Sequence, residues 1–208
     1  MPKYERPRLG ELCEIVPGPS GGLLEELSAD IEDGVPVISP PDLTGHQAVD
    51  SSHIRRVSRE KAGGLATRYR LREGDVILVR QSTTGLGRQA LVTREQEGWL
   101  FATSCLRVAV TSDRLLPSYL LHYLGHAPVR RWLSNRANPG QAVETLTTAN
   151  LAQLPVLLPD LESQRALAGA LDEINAQLRM HDELSRRLGL LSRAVLTTQL
   201  GNAPLQVH

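Results

Sequence analysis

The segment from Arg80 to Gln89, RQSTTGLGRQ, gathers residue types suited to the edges and backbone of a nucleic acid. Arg80 and Arg88 can bond a guanine edge in bidentate fashion, and Gln81 and Gln89 an adenine edge. The hydroxyls of Ser82, Thr83 and Thr84 suit phosphate oxygens, as do backbone N–H groups that two glycines leave approachable. Such a segment is a groove-entering or backbone-clamping loop, or else a hairpin tip with no ligand.

The charge around it is lopsided. Residues 51–94 carry Arg55, Arg56, Arg59, Lys61, Arg68, Arg70, Arg72, Arg80, Arg88 and Arg94 against only Glu60, Glu73 and Asp75. Residues 1–50 carry ten acids against Lys3, Arg6 and Arg8. The net charge of zero therefore conceals a basic stretch of the kind that contacts phosphates. A solvated face neutralised by the acidic first quarter is the alternative. A further polar set, Arg130, Arg131, Asn135, Arg136 and Gln141 around Trp132, is either the opposite wall of a cleft or an exposed helix face.

Catalytic chemistry finds little support. GLG at 85–87 lacks the helix and downstream acid of a dinucleotide fingerprint, and neither a P-loop nor a GxSxG motif is present. His122 and His126 are four apart, but Gly125 and Pro128 disturb their helix and no third metal ligand is evident. Cys13 and Cys105 lie in apolar stretches without metal spacing and read as buried reduced thiols. No catalytic residue, metal site or cofactor of the chain's own is expected. An unrecognised hydrolase would have to show turnover by the chain alone.

The elements that must position these residues follow from pattern. With 208 residues, 41% of them hydrophobic but only seven aromatic, the core must be built from Leu, Val, Ile and Ala. Residues 9–16 read as a short strand or a strand entered from a turn, and short strands are expected over 35–38, 76–80, 90–93, around 99–110 and at LPVLLP, 154–159, with PPDLTG turning the chain after 35–38. From Pro117 the period becomes helical, with an interruption between Gly125 and Pro128, and Thr148 or Asn150 starts another short turn. No apolar run could span a bilayer and the N-terminus has no signal core, so a cytoplasmic location is expected.

The last element is a long helix over about 161–200. Asp160 or Ser163 can cap its start and Gly201 its end. Its rise of ~1.5 Å per residue makes it about 58 Å long. Apolar residues fall at Leu167, Leu171, Ile174 and Leu178, then at Leu184, Leu188, Leu191 and Val195, the seam of a coiled coil whose phase slips near His181. Such a seam needs a partner. The fold class is therefore α+β: a β-rich, mixed or antiparallel domain with short helices over 1–158, a helix over 161–200 and a tail over 201–208.

The order RLGELCEIVPG, VPVISPPDLTG, YRLREGDVILVRQSTTGLG, TSCLRVAV, LLPSYLLHYL and LPVLLPDLESQRALAGALDEINAQL resembles the specificity subunit of type I restriction-modification systems, over almost the whole chain. The strongest parts are REGDVILVR and the proline-bounded PVLLPDLESQ that runs into the helix. That resemblance implies a target recognition domain that reads duplex DNA and a spacer helix. It also implies methyltransferase subunits, which bind S-adenosylmethionine and methylate adenine, and a restriction subunit where a nuclease is present. Full-length members carry two recognition domains and two helices; this chain has one of each, as a half subunit would. A homodimer paired antiparallel through the helix would restore two recognition domains and read an interrupted palindrome. The competing reading is a coiled-coil scaffold that binds no DNA, or a seam that packs on methyltransferase helices or on its own domain.

Overall fold

The structure is a computed structural model that describes residues 4–19, 31–82, 86–137 and 144–200. It divides into two compact units, Met1–Gly169 and Ala170–His208. The chain opens with one helical turn, α1 (Leu9–Leu12), and then β1 (Cys13–Pro17). Of the two readings of 9–16, a short strand or a strand entered from a turn, the second holds, with the turn at 9–12 and the strand from 13. Leu9 and Leu12, three apart, bury one helical face, while Glu11 accepts from the backbone N–H of Arg8.

Next come β2 (Val35–Ile38), a 3₁₀ turn at Pro40–Asp42, β3 (Arg55–Val57) and α2 (Arg59–Gly63). The Asp42 carboxylate accepts from both the backbone N–H and the hydroxyl of Ser39, so the two prolines start a capped turn where they would break a ladder. After these lie β4 (Val76–Val79), β5 (Gln81–Ser82), β6 (Gln89–Leu91), β7 (Leu100–Phe101) and β8 (Cys105–Val110). Then follow α3 (Pro117–Gly125), α4 (Ala127–Ser134), β9 (Glu144–Thr145), α5 (Thr148–Ala152) and α6 (Leu161–Leu200).

An antiparallel sheet in the order β1-β8-β4-β6 divides the first unit's interior. The fully buried VILV of β4 alternates across it. Val76 and Leu78 join a core with α1, α3, α4 and α5, whereas Ile77 and Val79 join one with Ile38, Leu43, Leu71 and Phe101. Beside that second core runs a three-stranded sheet, in which β2 pairs antiparallel with β3 and parallel with β7. Cys13 and Cys105 are buried free thiols, and burial pushes each up to about 12. Arg107 of β8 is buried between Glu14, at 2.6 Å, and Asp75, at 3.5 Å. Burial still raises the Asp75 carboxyl, outweighing the hydrogen bond from the Arg72 N–H and the Arg107 charge.

The LPVLLP segment is not a ladder strand. Pro155 and Pro159 have no N–H to donate, and only isolated bridges, Arg8 with Pro155 and Glu5 with Leu158, tie it to the N-terminal segment. Those bridges take the Val156 and Leu158 N–H groups to the carbonyls of Pro7 and Glu5, and side chains of α3 complete the segment's hydrogen bonding. Tyr119 donates its hydroxyl to the Leu157 carbonyl at 2.7 Å; Tyr123 donates to the Pro155 carbonyl at 2.7 Å and accepts from the Leu157 N–H.

The segment leads into α6. Asp160 caps that helix, accepting from the Ser163 N–H at 2.8 Å and from its hydroxyl. One turn in, the fully buried Gln164 accepts from the Leu116 N–H at 2.9 Å and donates to the carbonyls of Arg114 and Pro159. Gly201 lies outside the described residues. Beyond Ala168 the helix carries Ile174, Leu178, Leu184, Leu188, Leu191 and Val195 exposed. No helix among the described residues is long and apolar enough to cross a membrane.

Candidate nucleic-acid interface

The loop Arg80–Gln89 is held by the antiparallel pairing of β4 with β6. Arg80 leaves β4 with its N–H on the Ser104 carbonyl and its own carbonyl on the Leu146 N–H. Its Nε is buried and finds no hydrogen-bond partner among the described residues. Gln81 is exposed and Ser82 half-buried in β5, which pairs with β9 across Thr145 and Glu144. Thr83 and Thr84 lie outside the described residues, as does Gln141.

The returning limb turns at Gly87, whose φ of 70° suits glycine, with its N–H on the Val79 carbonyl. Arg88 follows, half-buried, donating to the Leu43 carbonyl at 3.2 Å. Gln89 departs from the adenine-reading role. It is 4% exposed, and its amide oxygen accepts from the Gly125 N–H of α3 at 3.0 Å and from the Gln47 amide at 3.1 Å while its NH2 donates to the Gly87 carbonyl. Gly125 makes room for that amide, because a Cβ there would lie 2.6 Å from it. Gln89 thus fastens the hairpin to α3.

From the other side α4 delivers Arg130. Its guanidinium donates to the Gly87 carbonyl, and its pKa is pushed down first by burial and then by the neighbouring Arg88 charge. Two half-buried arginines from separate elements, each held by a backbone carbonyl, thus sit close enough to repel at the base of the loop. Concentrating like charge is costly in the free protein, and an anion placed there relieves it. Arg131 is exposed beside them in sequence, and Arg136 is exposed with its guanidinium 3.8 Å above the Trp132 ring.

The remaining cations are carried by other elements. Arg55 is exposed and Arg56 half-buried on β3; Lys61 is half-buried on α2. Arg59 donates to the Asp33 carbonyl at 2.7 Å, and Arg68 lies over the Tyr69 ring and bonds its hydroxyl. Arg70 is structural, with its guanidinium on the carbonyls of Ala62 and Gly98. The sequence counted it with the surface cations because charge alone does not reveal a carbonyl clamp. The reverse omission is Gln47, at φ 60°, whose amide packs against Gly125 beside Gln89. The signal for it was the polar turn TGHQ after the double proline.

His122 is buried in α3, while His126 occupies the extended break before α4, so the two share no helix face. No group of three or more His, Cys, Asp or Glu among the described residues could hold a metal ion.

A family model described as the type I restriction modification DNA specificity domain matches residues 1–188. Among solved structures, the chain is similar to one from a study of complex assembly and conformational transition of the type I R-M system. Identity is 22% and the TM-score 0.63, over 94% of this chain and 45% of that one. It is similar to the HsdS subunit from Thermoanaerobacter tengcongensis, at 18% identity and a TM-score of 0.62, over 99% of this chain and 52% of that one. A third likeness is the type I S subunit from M. genitalium, at 14% identity and a TM-score of 0.56, over 94% and 48% of the two chains. The chain spans about half the length of each of these. No curated protein sequence matches it.

Proposed function

The chain belongs to the type I restriction-modification DNA specificity family, and on that premise we propose that it reads duplex DNA as the non-catalytic specificity component of a DNA adenine methyltransferase complex. The observation that carries this reading is the Arg88–Arg130 pair at the base of the β4–β6 loop, poised for a phosphate. Arg80, Gln81, Ser82, Arg131 and Arg136 extend that surface toward base edges and backbone. Arg55, Arg56, Arg59, Lys61 and Arg68 supply a second set of phosphate contacts, and Thr83 and Thr84 complete the loop.

In this reading residues 1–158 are the recognition domain, 161–200 the spacer and 201–208 a tail. Methyltransferase subunits bring S-adenosylmethionine and the catalytic groups, a restriction subunit adds cleavage where one is present, and the assembly works in the cytoplasm. The helix joins two copies through the seam of Leu167, Leu171, Ile174, Leu178, Leu184, Leu188, Leu191 and Val195. Two recognition domains related by a two-fold axis then read the halves of an interrupted palindrome.

Fluorescence anisotropy with a duplex library tests the binding. Affinity should fall steeply with salt and concentrate on one motif, and adenine methylation should require added methyltransferase. A duplex affinity that is absent, or indifferent to salt, would favour a scaffold built around the helix.

A further inference from the structure

We infer, resting on the duplex reading proposed above, that the turn 44–48 is a second reading loop of the same surface, with Gln47 as the positioning residue that holds it there. The turn, TGHQA, carries no Arg or Lys, so charge does not mark it. A chain of hydrogen bonds that runs from Gln47 to the arginine pair does.

The Gln47 amide donates to Gln89 Oε1 at 3.1 Å, and the same oxygen accepts from the Gly125 N–H at 3.0 Å. The Gln89 NH2 donates in turn to the Gly87 carbonyl, which the Arg130 guanidinium also bonds. Arg88 closes the circuit from the other side, donating at 3.2 Å to the carbonyl of Leu43, the residue at the foot of the turn. Buried Gln89 is thus the hub that ties the turn, the β4–β6 loop and the end of α3 together. Away from water the members of such a chain reinforce one another, so displacing one displaces the rest.

The turn itself is stiff. Leu43 and Val49 form an antiparallel bridge, the Thr44 N–H donates to the Ala48 carbonyl at 2.9 Å, and the Ala48 N–H donates back to the Thr44 hydroxyl at 3.2 Å. Among the described residues Gln47 is the one non-glycine with a positive φ, 60°. Glycine would adopt that backbone without strain, and strain of this kind gathers where a side chain has to be held for binding. Gly125 clears the space for the contact, since a Cβ there would lie 2.6 Å from the Gln89 amide and 2.7 Å from that of Gln47.

At the tip, Gly45 is exposed, and a Cβ built on it meets nothing within 4 Å. Backbone left open in this way can approach a phosphate or a base edge closely. A duplex with a phosphate on Arg88 and Arg130 runs past the turn whose foot Arg88 touches. The turn then reads beside the loop, at a separation that Gln47 sets.

Two measurements on the full chain test this. Gly45→Cys, carrying a photoactivated crosslinker on its thiol, should attach to the best-bound duplex of the library; Cys13 and Cys105 are buried and do not take the label. Gln47→Gly removes the amide and relieves the backbone, so preference for that duplex over a scrambled one should fall about tenfold while the thermal midpoint holds or rises. Gly125→Ala alters neither loop but pushes both amides aside, and should lower the preference likewise. A residue that served only the fold would lower midpoint and preference together. A bound duplex that does not crosslink, an unchanged preference in either variant, or a midpoint that falls in Gln47→Gly overturns the inference. Duplex binding by the intact chain that is absent or indifferent to salt would sink the duplex reading itself, whereas salt-dependent binding with an unchanged preference sinks the second loop alone.

Discussion

Arg130 is where charge, burial and geometry meet, since it is held on the Gly87 carbonyl beside Arg88. Replacing it with alanine should weaken duplex binding about tenfold at fixed salt and reduce the salt slope by about one. The thermal midpoint should hardly move, because the side chain bonds a single carbonyl of an otherwise well-tied turn. Gln164 is the opposite case. Gln164→Ala leaves the Leu116 N–H and two carbonyls without their buried partner, which costs about 2–4 kcal/mol and should lower the midpoint by roughly 5–10 °C in calorimetry. The two cysteines should resist thiol reagents at pH 8 until the protein unfolds, because burial holds both thiols near 12.

At the scale of elements, the VILV run, the helix break before Pro128 and the long helix were legible because each rests on local pattern or on a residue with one backbone habit. LPVLLP was not. Its apolar run has strand composition, but its backbone groups are answered by two tyrosines and the N-terminal segment, all distant in sequence. Gln89 misled for the same reason: a glutamine in a polar loop is ambiguous until α3 is seen to donate its Gly125 N–H to it. The cap of α6 was legible and has a pH signature. Hydrogen bonds from the Ser163 backbone and hydroxyl hold the Asp160 carboxyl below its ordinary value of 3.8. A lowered native pKa contributes stability above the unfolded pKa, and that contribution is lost as pH falls through the native one. Amide exchange at residues 161–164, corrected for its intrinsic pH dependence, should therefore lose protection as pH drops from 5 to 3. Asp160→Asn should flatten that response.

For the molecule as a whole, the proposed division of labour between a reading domain and a helix sets what can be measured. The fold agrees with the α+β class expected from pattern, and the family was legible from the order of segments, each weak alone. The individual contacts were less legible, because a surface that reads DNA is chosen for its target and follows no periodicity. In the function proposed, this chain dictates where a partner methyltransferase acts. Mapping adenine methylation across a genome that encodes both, with this chain intact and with it deleted, tests that claim most directly. An interrupted palindromic motif that disappears on deletion is expected; the same motif persisting without the chain would overturn the proposed function.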